Sequence, residues 1–122
     1  MIRTKGLYHL HLVVRDLDRS LRFYGETFGM EVRFWAGDDM VFIGTPGGTD
    51  LLTLNRDPSL QDRAGDNGGL DHFGIKLAEG VSIDEAVEEI VRNGGALERR
   101  GEHGPGEPYA YCRDPDGYLF EI

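Results

Sequence analysis

The chain has 122 residues, with 13 Lys and Arg against 22 Asp and Glu, a formal charge of −9 and 39% hydrophobic content. That length allows one compact domain or two small fused modules. The charge opposes binding to nucleic acid or anionic membranes, and no apolar run approaches the ~20 residues that span a bilayer. A single cysteine, Cys112, cannot make an intrachain disulfide and fits a reducing cytoplasm. Residues 7–14 are interrupted by His9 and His11, and no small-residue cleavage site follows, so they do not read as a signal peptide.

In chain order, residues 7–14 form an apolar, β-branched strand ended by Arg15 and Asp16. Asp16 or Asp18 caps the helix that follows. Its stripe is Leu17, Leu21, Tyr24 and Phe28, and Gly29 supplies a left-handed stop. Short strands at 32–35, 40–44 and 51–54 are joined by Gly and Asp turns. Residues 55–69 are polar and read as a linker or flap.

The pattern then starts again. Residues 72–77 read as a strand, and Ser82 with Glu85 makes an S-x-x-E capping box. Ile83, Ala86, Val87, Ile90 and Val91 form the buried stripe of a second helix, which ends at Asn93-Gly94-Gly95. Strands at 96–100 and 109–113 flank a Gly- and Pro-rich loop, 101–108. Asp114-Pro115-Asp116-Gly117 is a turn, and residues 118–122 close the chain as a strand. The order strand, helix, several strands thus occurs twice. His9 and His72 open matching strands 63 positions apart, and in the matching last strands Thr53 falls on Glu121.

No G-x-G-x-x-G or G-x-x-x-x-G-K-[ST] phosphate loop and no G-x-S-x-G elbow is present. Cys112, in mid-strand, reads as an inert core residue. The informative set is His9, His72 and Glu121. A lone strand histidine is ordinarily a packing or surface residue, but these two open equivalent strands, and Glu121 sits in an apolar Leu-Phe-Glu-Ile run. A buried carboxylate without a partner costs several kcal/mol, which a cation relieves. If the two halves pack as a pseudo-twofold pair, two imidazoles and one carboxylate make a facial triad with open positions. Such a set suits Fe(II), Mn(II), Zn(II), Ni(II) or Co(II).

The segments H-L-H-L-V-V-R-D-L-D-R-S-L-R-F-Y-G-E-T-F-G-M (9–30), H-F-G-I-K-L (72–77) and D-P-D-G-Y-L-F-E-I (114–122) resemble the vicinal oxygen chelate superfamily. That group holds glyoxalase I, bleomycin-resistance proteins, fosfomycin-resistance thiol transferases, methylmalonyl-CoA epimerases and extradiol dioxygenases. The resemblance covers essentially the whole chain. It implies an α+β fold of two tandem βαβββ modules whose curled mixed sheets surround a metal pocket. Module 1 covers about 5–54, the linker 55–69, and module 2 about 70–122. It implies a divalent metal held by His9, which stands seven residues before Asp16, by His72 and by Glu121. The fourth ligand of glyoxalase I-like members falls on Thr53, a poor donor. Tyr111, ten residues before the last acid, and His11, on the same strand face as His9, become candidate acid/base residues. His103 is expected to be solvent-exposed in its loop. Phe34, Trp35, Met40, Phe42 and Tyr109 are candidate pocket residues.

The implied function is a metal-dependent enzyme acting on a small substrate with vicinal oxygens, expected in the cytoplasm as a homodimer. The missing fourth ligand favours dioxygenase-type chemistry, with lyase or isomerase chemistry next. The alternatives are a metal-free, bleomycin-resistance-type drug-binding protein, to which the acidic charge is suited, and a fosfomycin-type thiol transferase. The region after Arg100 lacks a match to the lysine and potassium loop of the transferases. Modules pair either within one chain or across a dimer.

Overall fold

The computed structural model describes residues 1, 3, 7–60, 70 and 72–122. Residues 61–69 of the expected linker, and residues 4–6 around the expected start of the first module, lie outside the described residues. The first half runs β1 (Leu10–Val14), α1 (Leu17–Phe28), β2 (Glu31–Trp35), β3 (Met40–Gly44) and β4 (Leu52–Arg56). The second runs β5 (Phe73–Gly74), α2 (Ile83–Arg92), β6 (Ala96–Glu102), β7 (Pro108–Arg113) and β8 (Leu119–Glu121). Each half makes a four-stranded sheet, in the order β1-β4-β3-β2 and β5-β8-β7-β6. In each sheet the first pairing is parallel and the others antiparallel. The same mixed sheet built twice is the α+β architecture expected from the repeat. No helix among the described residues is long and apolar enough to cross a membrane.

The helix ends follow local chemistry. Asp16 caps α1, accepting the Arg19 N–H at 3.0 Å, and Gly29 ends it at φ 65°, a conformation that costs a side-chain-bearing residue. At α2 the Glu85 N–H donates to Ser82 Oγ (3.2 Å) and the Ser82 N–H to Glu85 Oε2 (3.3 Å), closing the capping box.

The buried face of α1 is Leu17, Ser20, Phe23 and Tyr24, with Leu21 and Phe28 only partly covered. It departs from the single sequence stripe because α1 packs on both halves. It touches β4 of its own sheet, while Phe23 and Phe28 stand edge-on to Phe120 of β8, at 6.3 and 5.7 Å. Helix α2 packs on β6 and β7, so Val87 and Ile90 are buried and Val91, expected inside, is 51% exposed. One core results, joining Leu12, Val41, Ile43 and Leu54 to Ile90, Cys112 and Phe120. Burial of each large apolar side chain contributes about 1.5–3 kcal/mol.

Two strands are shorter than their sequence suggests. Strand β8 spans three residues, so after the Ile75 N–H donates to Glu121 O (2.8 Å) residues 76–77 have no strand to pair with. Strand β1 begins where β4 does, Leu10 facing Leu52. His9 and His72 therefore stand just ahead of their strands. The expected 101–108 loop is shorter too. Gly101 pairs with Tyr109 and Glu102 with Pro108, leaving a turn held by the His103 N–H on Glu107 O (3.1 Å).

The Asp114–Gly117 turn forms, with the Gly117 N–H on Asp114 O at 2.9 Å, but its carboxylates face inward. Asp114 and Asp116 are 4% and 2% exposed. Asp116 accepts the Arg15 backbone N–H (3.0 Å), the Arg19 guanidinium (2.9 Å) and the Ser20 hydroxyl (3.1 Å). Asp114 accepts the Tyr24 hydroxyl at 2.8 Å, and the Tyr118 hydroxyl donates to Val13 O at 2.7 Å. The second module thus grips the start of α1 through its last turn.

Candidate metal centre

Cross-strand register fixes which side chains share a sheet face. On the first sheet Phe34 faces Phe42, Phe42 faces Thr53, and Thr53 faces His11. The His9 ring stands edge-on to Phe42, 6.1 Å away. On the second sheet Arg99 faces Tyr111, Tyr111 faces Glu121, and Glu121 faces Gly74, two residues after His72. The two series match strand for strand. Thr53 corresponds to Glu121, Phe42 to Tyr111, Phe34 to Arg99, and His9 to His72.

The second sheet gathers the polar groups. His72 Nε2 lies 3.4 Å from Glu121 Oε2, and His103 Nε2 donates to Glu121 Oε1 at 2.5 Å. The Tyr111 side chain lies across the β7–β8 pairing from Glu121 and helps lower its carboxyl pKa. The rings form a chain, with His72 edge-on to Tyr111 (5.0 Å), Tyr111 edge-on to Tyr109 (5.4 Å), and Tyr109 stacked on His103 (4.4 Å). Gly101 makes room for this stack, since a Cβ there would stand 2.5 Å from the Tyr109 hydroxyl oxygen.

The His103 hydrogen bond, with lesser help from Tyr111 and the imidazole charges and against desolvation, lowers the pKa of the Glu121 carboxyl. The group is ionised and ready for a cation. Replacing His103 by Ala is expected to move the Glu121 titration up toward the ordinary value, read by carboxyl-carbon NMR. An unchanged midpoint would refute the assignment of the shift to His103.

Of the sequence-predicted set, His72, Glu121 and Tyr111 come together, whereas His9 and His11 belong to the first sheet. Among the described residues no three His, Cys, Asp or Glu side chains are arranged to hold a metal ion within the chain. His9 and His72 do line one cavity of about 560 Å³ between the starts of β1 and β5, with Tyr8, Met30, Leu52 and Phe73. Phe34, Phe42 and Tyr109 lie on the two site faces. Trp35 instead borders a polar cleft at the start of α1, beside Arg15, Arg19 and Arg56. Cys112 is fully buried, and burial pushes its thiol up to about 11, as an inert core residue requires.

The His103 side chain is 58% exposed, as the sequence suggests, but its contact with Glu121 was not foreseen. The signal was the alternation of positions 99, 101 and 103 toward the face of Tyr109 and Tyr111, hidden when 101–108 is read as a loop.

Residues 6–122 match the family model of the Glyoxalase/Bleomycin resistance protein/Dioxygenase superfamily. The chain belongs to this superfamily. A lactoylglutathione lyase of Arabidopsis thaliana is 34% identical over 93% of this chain and 42% of its own length. A catechol-2,3-dioxygenase of Bacillus subtilis is 33% identical over 91% of this chain and 38% of its own. The chain thus spans about two fifths of the length of these relatives. Among solved structures, a variant of the fosfomycin resistance protein FosX from Listeria monocytogenes, complexed with Mn(II) and 1S,2S-dihydroxypropylphosphonic acid, gives a TM-score of 0.71. It is 28% identical and covers 98% of this chain and 89% of that one.

The superfamily implies a divalent cation, and the residues of this chain fit one. An imidazole nitrogen and an ionised carboxylate already converge on an open sheet face. At the related place on the first sheet, Thr53 Oγ1 is buried with no hydrogen-bond partner. Its neutral hydroxyl is a poor ligand, so His9, His72 and Glu121 are the residues that would hold the cation.

Proposed function

We propose that this superfamily member is a divalent-metal-dependent enzyme acting on a small organic substrate with two vicinal oxygens. Dioxygenase-type chemistry fits best, because Thr53 replaces a fourth ligand and leaves coordination positions open. Glyoxalase- or epimerase-like lyase or isomerase chemistry is the nearest other reaction. The observation that carries this reading is the approach of His72 and Glu121 to 3.4 Å beside Tyr111.

His72 and Glu121 hold the cation from one protomer, and His9 of the partner subunit supplies the third donor. Two copies pair so that the first sheet of one covers the second sheet of the other. Val32 and Phe34, 49% and 46% exposed, offer apolar surface on the first sheet for that contact. The bound metal supplies Lewis-acid polarisation of the two substrate oxygens or, as Fe(II), activation of O₂. The chain does the rest. The Tyr111 hydroxyl exchanges a proton with a substrate oxygen, and His103, held on Glu121, accepts or returns one. His11, opposite Thr53, is the acid/base candidate of the covering sheet, and Phe34 and Phe42 exclude water. The buried, unreactive Cys112 suits a cytoplasmic setting.

Metal quantification after anaerobic purification tests this reading. About one divalent metal per chain is expected for a three-donor site, lost in Glu121→Ala and His72→Ala variants that keep the far-ultraviolet dichroism of the parent. A metal-free parent that binds a cationic drug tightly would overturn it in favour of a sequestering protein.

A further inference from the structure

We propose that Arg99 recognises a substrate carboxylate, so that the substrate of this site carries one a few bonds from its vicinal oxygens. This rests on the metal-centre reading above and adds the chemical class of the substrate. Arg99 lies directly across the β6–β7 pairing from Tyr111, and Tyr111 across the β7–β8 pairing from Glu121. Adjacent strands lie about 4.8 Å apart, so the Arg99 backbone is roughly 10 Å from that of Glu121, about the length of a small aromatic or aliphatic acid. The guanidinium carbon sits 4.3 Å from the centroid of the Tyr111 ring. That same ring stands 5.0 Å from His72. This cation–π contact holds the guanidinium over the ring and does not use its N–H donors.

Among the described residues those donors have no hydrogen-bond partner. The other two arginines of this sheet are committed, Arg100 to Asp84 and Arg113 to Glu98. Among the described residues no carboxylate pairs with Arg99. Sheet architecture does not demand a cation here either, because the related place on the first sheet is Phe34, stacked on Phe42 at 4.3 Å. The face that covers Arg99 in the paired arrangement presents His9, His11, Thr53, Phe42 and Phe34, none of them anionic. Arg99 is exposed, so a substrate carboxylate can reach its donors. A planar fork of N–H donors matches a carboxylate in two parallel hydrogen bonds, which a lysine or a phenylalanine cannot make.

The test uses two bidentate probes on the Mn(II)-loaded protein, dihydrocaffeate and 4-ethylcatechol, with affinity read by calorimetry. Both carry the same pair of vicinal oxygens, and only the first carries a carboxylate, insulated from the ring. The parent protein is expected to prefer dihydrocaffeate by about tenfold or more. Arg99→Met, which keeps the stem over Tyr111, is expected to abolish that preference while leaving the affinity for 4-ethylcatechol and the metal content unchanged. Absence of a preference in the parent, or its persistence in Arg99→Met, would overturn the assignment. Failure of both probes to bind the loaded parent would instead sink the chelation reading, and the role of Arg99 with it.

Discussion

Mixing chains that carry His9→Ala with chains that carry Glu121→Ala is expected to restore metal that neither variant holds alone. Each variant lacks one donor in every site of its own homodimer, and loss of a direct ligand exceeds the 10–100-fold penalty known for ligand-supporting residues. In a mixed pair, one site loses both donors. The other combines His9 of the Glu121→Ala chain with His72 and Glu121 of the His9→Ala chain, and is intact. Random exchange makes about half of all pairs mixed, so about a quarter of the parent metal content should return. The structure motivates the experiment directly, because His72 and Glu121 meet within the chain while His9 stays on the other sheet. Mass-tagged subunits and plasma emission measure exchange and metal together. Complete exchange with no metal regained would place all three donors in one chain, or deny the site.

The largest effect on stability is expected at the last turn. Asp116→Ala removes one acceptor from three donors at once, namely the Arg15 backbone N–H, the Arg19 guanidinium and the Ser20 hydroxyl. Ser20 is fully buried and cannot turn to water. Arg19 is 40% exposed and recovers much of its hydration. Orphaning the other two groups costs about 1–3 kcal/mol each, so a net loss of about 2–6 kcal/mol in urea unfolding is expected. A loss below 0.5 kcal/mol would mean that the two modules are held by apolar packing alone.

The neighbouring Asp114 gives the junction a pH signature. Burial pushes its carboxyl up to about 6, against the pull of the Tyr24 hydrogen bond. A folded-state pKa above the unfolded value means that the fold favours the protonated form. Its contribution is therefore complete below about pH 4 and is lost as pH rises through 6, an amount on the order of 3 kcal/mol. In Asp114→Asn that dependence disappears. The stability difference, parent minus variant, should fall between pH 4 and pH 7 and then level off. A difference independent of pH would contradict this burial-driven account.

Much of the fold was legible because its signals are local. The capping box at Ser82 and Glu85, the left-handed stop at Gly29 and the Asp16 cap each depend on a few adjacent residues. The repeat was legible because register carries Thr53 onto Glu121 and His9 onto His72. The misses are tertiary. Nothing within residues 114–117 shows that two turn carboxylates point into a module junction, since the donors they meet lie some hundred positions earlier. Val91 looks buried on a helical wheel, but only one sheet covers α2. His103 looked like loop because its Gly and Pro neighbours outweighed an alternation that a partner strand reveals.

The matched registers of the two sheets also bear on ancestry. In a symmetric pair of separate single modules, any substitution is imposed on both halves of an assembly at once. Joining the copies in tandem lifts that constraint, and here the halves have specialised. One presents a carboxylate and an arginine where the other presents a hydroxyl and a phenylalanine. The covalent fusion thus permits an asymmetric division of labour between modules that began alike.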